Sequence, residues 1–135
     1  AVIPKFVMQL MAHESPVING DGSYSRDFTY IDNVVQMNLR AISTPNAAAL
    51  NNVYNVAYGE RTDLNELLDL LRKYLSEFDP KIAEVKAVYG PNRQGDVPHS
   101  LASIAKAKKL LNYDPKFDIN TGIKEAVTWY WNHLK

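Results

Sequence analysis

Segments with the apolar spacing of an amphipathic helix alternate along this chain with short runs of β-branched and aromatic residues. The strongest helical pattern follows Thr62 and ends before Pro80. Its apolar positions recur at i, i+3, i+4, i+7 and i+11, which places them on one face of a helix. They are Leu64, Leu67, Leu68, Leu71 and Leu75. The alternation predicts a mixed α/β domain, in which a small sheet is combined with several amphipathic helices.

The other helical segments are shorter or less regular. In the first of them Pro4 is acceptable, because the N–H that proline lacks is not needed in a first turn. In the second, Asp32 is the expected N-cap, and Val35, Leu39 and Ile42 form the apolar stripe. These predicted helices cover residues 4–13, 33–43, 101–111 and 121–134.

Strands are predicted where β-branched and aromatic residues dominate between turn-forming residues. The predicted strands are residues 16–19, 28–31, 53–57 and 83–89. No internal repeat, linker or low-complexity tract divides the chain. Residues 1–135 are therefore expected to form one domain.

Composition excludes several classes of partner and chemistry. The 15 Lys and Arg balance 15 Asp and Glu, so the chain has no net field to attract nucleic acid or an anionic membrane. It contains no cysteine, and its three histidines lack the spacing of metal ligands. No apolar run approaches the roughly 18 residues of a membrane span, and the opening residues do not resemble a signal peptide. We expect a soluble, cytoplasmic protein without a bound metal.

Two polar loops contain the candidate binding residues. Arg26 follows Gly20 and Gly22 in "NGDGSYSRDF", so this segment is either a tight hairpin with a solvated arginine or a ligand contact. The second loop, "NRQGDVPHS", places Arg93 and Asp96 around a glycine. Two guanidinium groups can hold a diphosphate bidentately, and a carboxylate suits ribose hydroxyls. A solvated loop fits this second pattern equally well.

Motifs of complete enzymes are missing from the sequence. It has no Gly-rich phosphate loop of the Rossmann or P-loop type, no serine nucleophile elbow and no histidine pair on one helix face. We therefore do not expect a catalytically complete unit.

Several segments together resemble one known family. In order and spacing, "AVIPKF", "NGDGSYSRDFTYIDNVV", "VYNVAYGERTDLNEL", "NRQGDVPHS" and "SIAKAKKLLNYDPKFDINTGIKEAVTWY" resemble the C-terminal part of extended short-chain dehydrogenase/reductase enzymes that act on nucleotide sugars. The greatest similarity is to bacterial UDP-N-acetylglucosamine 4-epimerases. The resemblance extends over essentially the whole chain.

The resemblance implies that the chain is the substrate-binding portion of a larger NAD-dependent epimerase. In that family, NAD and a Tyr-x-x-x-Lys catalytic pair belong to an N-terminal Rossmann domain, and neither its glycine motif nor the catalytic pair is present here. No catalytic, cofactor-binding or metal-binding residue is therefore expected in this chain. A UDP-sugar and the Rossmann domain are the expected partners, and a homodimer is a further expectation.

By the same resemblance, six residues are expected to contact a UDP-sugar. Arg26 and Arg93 match the arginines that hold the diphosphate, and Asp96 matches the acid that binds ribose. Ser100 matches the position beside the sugar where a small residue leaves room for an N-acetyl group. The remaining two, Val17 and Asn19, fall where the family contacts uracil.

Other functions remain open at this point. The chain could belong to a dehydratase, a decarboxylase or another epimerase of the same family, because these use the same nucleotide clamp. It could also be a non-catalytic interaction module that keeps the fold. Retention of Arg26, Arg93 and Asp96 argues against such a module.

Overall fold

The computed structural model describes residues 1–134, which form a mixed α/β fold of five α-helices and two small sheets. The predicted fold class is therefore confirmed. The helices are α1 (Val2–Met11), α2 (Ile31–Ser43), α3 (Leu64–Leu75), α4 (Ala105–Leu111) and α5 (Ile119–His133). The strands are β1 (Val17–Asn19), β2 (Ser25–Arg26), β3 (Thr62–Asp63) and β4 (Val88–Gly90). Two 3-10 helices cover Ala47–Ala49 and Pro80–Glu84.

Helix α3 lies at the centre of the larger hydrophobic core, as its leucine spacing predicts. Asp63 begins the helix by accepting a hydrogen bond of 2.8 Å from the Glu66 N–H, and the Glu66 carboxylate accepts one from the Asp63 N–H. This reciprocal capping box satisfies two backbone donors of the first turn. Leu67 and Leu71 are fully buried, and α3 packs against α1 and α5. Other buried residues of this core are Phe6, Val7, Leu10, Ile18, Leu68, Tyr74, Leu75, Ile82, Ile123 and Val127.

A smaller core lies where α2, α4 and their connecting loops meet. Tyr113 is buried in it and donates a hydrogen bond of 2.8 Å to the Ala57 carbonyl. Burial raises the pKa of the Tyr113 hydroxyl, and the nearby Asp27 carboxylate adds to the shift. Helix α2 contributes Met37 to this core. On the same helix, the buried Asn33 side chain donates to the Phe117 carbonyl at 2.7 Å, which holds the segment before α5 in place.

The apolar stripe predicted for α2 faces away from both cores. Val35, Leu39 and Ile42 are 46%, 61% and 83% exposed, and Ile31, one turn earlier, is 60% exposed. These four residues recur at i, i+4, i+8 and i+11 and form one continuous side of the helix. We call them the α2 face. Within residues 1–134 nothing covers it, although its composition is that of a buried surface.

The sheets confirm one predicted strand and correct the others. Strand β1 lies inside the predicted segment 16–19 and pairs in parallel with β4, Val17 opposite Val88. Segment 83–89 is not one continuous strand as predicted, because the 3-10 helix that starts at Pro80 continues into it, so only its last residues belong to β4. The short strands β2 and β3 pair antiparallel.

The predicted strands 28–31 and 53–57 are wrong. Strand β2 ends at Arg26. After it, Phe28 packs against the larger core, and the Tyr30 ring lies 4.8 Å from that of Phe117, in the segment before α5. Segment 53–57 has no partner strand within residues 1–134. Strand formation depends on cross-strand partners, which a local pattern does not supply.

Helix ends differ from the prediction by a few residues. Helix α1 begins at Val2 and ends at Met11, because His13 adopts a left-handed backbone with φ of 56°. Helix α2 begins at Ile31, so Asp32 lies in its first turn and is not the N-cap. Helix α4 begins only at Ala105, and α5 begins at Ile119 because Asp118 caps it.

Candidate functional site

Residues 92–100, which we call the clasp loop, are held against β2 by backbone hydrogen bonds. The Ser25 N–H donates to the Pro98 carbonyl at 2.9 Å, and the Ser100 N–H donates to the Ser25 carbonyl at 3.1 Å. The Ser25 hydroxyl shares a further hydrogen bond of 2.9 Å with His99 Nδ1. Ser25 also pairs with Asp63 on its other side. The clasp loop therefore extends the β2–β3 sheet, and His99 has a structural contact there.

Arg26 and Asp96 meet at this junction. The Arg26 guanidinium donates to Asp96 Oδ1 at 2.5 Å and to the Ser25 carbonyl at 2.8 Å. Both side chains remain 30% exposed, so the pair is fixed in position and still open to solvent. Two of the six predicted contact residues are thus brought together from distant parts of the sequence.

Three other predicted residues line a separate cavity of about 240 Å³. Val17 and Asn19 reach it from β1, and Arg93 reaches it from the clasp loop. The cavity, which we call the Asn19 cavity, is lined partly by apolar side chains and partly by the Asn19 amide and two cationic side chains. Its remaining lining residues are Ala1, Val2, Lys5, Phe6 and Leu64. One loop therefore contributes to both parts of the candidate site.

Ser100 lies beside the Arg26–Asp96 pair and is exposed. Its backbone N–H bonds to Ser25, and its hydroxyl makes no hydrogen bond within residues 1–134. Because α4 begins five residues later, at Ala105, Ser100 does not cap that helix. Its side chain is therefore available to a ligand at the end of the clasp loop.

Glycines shape both ends of the candidate site. Gly95 has φ of +78° and follows Gln94 in a turn closed by the Asp96 N–H and the Arg93 carbonyl at 3.3 Å. This backbone favours glycine. Gly20, after β1, has φ of +69°, and an added Cβ would lie 2.0 Å from the Asn92 side chain. The turn after β1 therefore packs directly against the start of the clasp loop.

Sequence reasoning missed two polar side chains that position these loops. Asp27 accepts hydrogen bonds from the Tyr58 and Gly59 N–H groups at 3.2 Å and 3.0 Å, which fixes the turn before β3. Asn65 donates to the Asp21 carbonyl at 3.0 Å and accepts from the Tyr89 hydroxyl at 2.8 Å. The only local indication that Asp27 has a structural role is its position directly after Arg26.

Neither a metal cluster nor a membrane-spanning helix occurs in the part of the chain that the structure describes. Across residues 1–134, no three His, Cys, Asp or Glu side chains are grouped as metal ligands. In the same range, every helix is too short or too polar to cross a bilayer.

Several solved structures match almost all of this chain, among them three UDP-sugar 4-epimerases. UDP-glucose 4-epimerase of Thermotoga maritima, solved with UDP-glucose, is 33% identical with a TM-score of 0.85, over 100% of this chain and 40% of that one. UDP-N-acetylglucosamine 4-epimerase of Methanobrevibacter ruminantium M1, in complex with UDP-N-acetylmuramic acid, is 34% identical with a TM-score of 0.83, over 98% and 39%. UDP-glucuronic acid 4-epimerase of Bacillus cereus, with UDP-glucuronic acid and NAD, shares the fold at 24% identity, with a TM-score of 0.85 over 100% and 40%.

The matches cover only part of each similar protein. The chain spans 39% of the length of a putative UDP-glucose 4-epimerase of Methanocaldococcus jannaschii and 26% of UDP-glucuronate 4-epimerase 5 of Arabidopsis thaliana, to which it is 32% and 33% identical. A family model described as GDP-mannose 4,6 dehydratase matches residues 1–126. The chain therefore belongs to this family, and it shares the fold of the extended short-chain dehydrogenase/reductase epimerases that act on nucleotide sugars.

Proposed function

We propose that this chain is the UDP-sugar-binding part of an NAD-dependent 4-epimerase that acts on UDP-N-acetylglucosamine and UDP-glucose. One observation supports the proposal most strongly. The clasp loop supplies Arg93 to the Asn19 cavity and also places Asp96 and Ser100 beside Arg26. A single loop thus joins a partly apolar cavity to cations and to a carboxylate, which is the combination that a nucleotide sugar requires.

Each group has a role in this proposal that follows from its chemistry. The uracil ring enters the Asn19 cavity, where the apolar wall includes Val17 and the Asn19 amide offers both a donor and an acceptor. Arg93 and Arg26 donate to the diphosphate oxygens. Asp96 accepts hydrogen bonds from the ribose hydroxyls while it keeps Arg26 oriented. Ser100 lies on the sugar side, and its small side chain leaves room for an acetamido group.

NAD is proposed to bind outside this chain. The described residues do not fit the cofactor, because the turn with Gly20 and Gly22 leads into β2 and not into a helix whose N-terminus could bind a pyrophosphate. We assign hydride transfer and acid/base chemistry to the missing part of the epimerase. These 135 residues alone should therefore have no epimerase activity.

The α2 face is the proposed contact with that missing part. The apolar side chains of this face, which are 46% to 83% exposed, extend along one whole side of α2. The unpaired segment 53–57 packs in the same smaller core as α2. The similar proteins contain more residues outside the matched region than within it. A Rossmann domain is the occupant we assign, and a second copy of this chain is the competing outcome.

The experiment identifies the reaction products formed by the natural protein, that is, residues 1–135 together with any sequence that flanks them. It is incubated with NAD and UDP-N-acetylglucosamine or UDP-glucose, and the nucleotide sugars are separated and identified. A 4-epimerase yields the C4 epimer at unchanged mass. Loss of water or of carbon dioxide would instead assign a dehydratase or a decarboxylase that uses the same clamp. No conversion together with no UDP binding would contradict the proposal altogether.

A further inference from the structure

We infer that Lys5 is a binding residue for the phosphate groups of the ligand in the Asn19 cavity, acting with Arg93. This inference rests on the proposed function. Lys5 follows Val2 by three positions and the N-cap Ala1 by four, so it lies on the same side of α1 as these two residues. All three residues line the cavity. Its ammonium group therefore extends from a helix that the larger core holds in place.

The local charge balance points to an anionic ligand. Ion pairs within residues 1–134 involve His13, Arg26, Arg72 and Lys116, but neither Lys5 nor Arg93. No carboxylate lines the Asn19 cavity. Two cationic side chains that form no ion pair within residues 1–134 thus line one small cavity of a chain whose net charge is zero. An anion bound between two such cations would be attracted by both of them.

The other walls limit which anion fits. A flat ring can pack on the apolar lining residues, and the Asn19 amide can form hydrogen bonds with the polar edge of that ring. The apolar residues are Val2, Phe6, Val17 and Leu64. A ring joined to a phosphate chain satisfies both halves of the cavity, whereas inorganic phosphate would leave the apolar half uncovered. The Lys5 ammonium is a compact charge on a flexible stem, so it can follow a diphosphate without a fixed two-bond geometry.

The test compares UDP with uridine, because only UDP offers phosphate groups to Lys5. Titration calorimetry is carried out on the natural protein and on the variants Lys5→Gln and Lys5→Arg. Lys124→Gln is the matched control, since Lys124 is exposed on α5 and does not line the cavity. We expect Lys5→Gln to lower the affinity for UDP by about fivefold to tenfold, somewhat more than an exposed ion pair contributes. The affinity for uridine should change by less than about twofold. Lys5→Arg should restore UDP affinity to within about threefold.

The outcomes separate this inference from the proposed function. Tight UDP binding that Lys5→Gln leaves unchanged would overturn the role of Lys5 and leave the proposed function intact. Equal weakening of UDP and uridine would also overturn it, because that result describes a role in cavity shape. If the unaltered protein does not bind UDP, both the inference and the proposed function fail. Unfolding temperatures equal to that of the unaltered protein verify that each variant is folded.

Discussion

The Arg26 guanidinium donates a hydrogen bond of 2.5 Å to the Asp96 carboxylate, which lies 70 residues further along the chain. This contact joins β2 to the clasp loop, and both side chains remain partly exposed. A clamp built in this way should behave as one unit when a ligand binds.

We expect the substitutions Arg26→Ala and Asp96→Ala to be non-additive in UDP binding. Each substitution should weaken the binding free energy of UDP by about 1.5 to 3 kcal/mol, the range for hydrogen bonds to charged groups. The double variant should lose less binding free energy than the sum of the two single losses, by at least about 0.5 kcal/mol. The control pair is Arg72 and Asp69, which form an ion pair of 2.7 Å on the surface of α3. Substitution of that pair should leave UDP affinity unchanged. Strict additivity of the Arg26 and Asp96 effects would show that the observed contact does not serve binding.

The α2 face should be buried in the natural protein. Leu39→Asp should then destabilise it by at least about 2 kcal/mol, since a buried leucine contributes about that much and a charge at an apolar contact adds a desolvation cost. Ala41→Asp is the control, because Ala41 is exposed on α2 and is not three, four or seven positions from any residue of the α2 face. Chemical denaturation measures both variants. Equal effects at the two positions would mean that the face is exposed to solvent. Ultracentrifugation would identify a second copy as its occupant if Leu39→Asp converted a dimer into monomers.

The Asp118 cap should make stability depend on acid pH. Hydrogen bonds from the Thr121 side chain and backbone hold the pKa of the Asp118 carboxyl below its usual value. Folding lowers this pKa, so the ionised Asp118 carboxylate adds to the free energy of unfolding. That contribution is complete above the unfolded pKa of about 3.9 and is lost as the pH falls through the folded pKa. Asp118→Ala should cost about 1 kcal/mol near pH 7.

Asp118→Asn is the matched variant, because asparagine caps helices as well as aspartate does but does not ionise. It should retain most of the stability at pH 7 and lose less of it as the pH falls towards the acid limit. Denaturation curves across that interval provide the measurement. Parallel pH profiles for the Asp118→Asn variant and the unaltered protein would assign the acid sensitivity to other carboxylates.

Ser100 should discriminate between acetylated and plain sugars. Ser100→Tyr fills the space beside the clasp loop, so turnover of UDP-N-acetylglucosamine should fall by about a hundredfold, the cost of a misplacement of about 1 Å. Turnover of UDP-glucose should change little, because this sugar has no acetamido group in that space. The control is Ser103→Tyr, at an exposed position beyond the clasp loop. Comparison of kcat/KM for both substrates decides the point, and equal losses for the two sugars would remove the reason to prefer an N-acetylated substrate.

Local patterns predict some parts of this structure well and others poorly, for physical reasons. The leucines of α3 repeat with helical spacing inside one segment, so their burial follows from residues that are near in sequence. Strand 53–57 is predicted from its own residues, but a strand exists only with a partner, and residues 1–134 supply none. The apolar stripe of α2 is predicted correctly, whereas its exposure depends on what lies beyond this chain.

The candidate site shows the same division. Its residues are recognised through motif resemblance, because Arg26 and Arg93 lie in short, distinctive loops. The pairing of Arg26 with Asp96, the separate cavity of Arg93 and the anchoring role of Asp27 are non-local contacts. Such contacts follow from how loops that are distant in sequence pack together, and no spacing in the sequence encodes that packing.

The most direct test of the clamp is the affinity of the natural protein for UDP, measured by calorimetry before and after Arg93→Ala. Arg40→Ala is the control, because Arg40 is an exposed arginine of α2 and does not line the Asn19 cavity. The clamp predicts a loss of about 1.5 to 3 kcal/mol for Arg93→Ala, equal for UDP and for the UDP-sugar, and no loss for Arg40→Ala. Unchanged UDP affinity in the Arg93→Ala protein would contradict the central claim that the clasp loop holds the diphosphate.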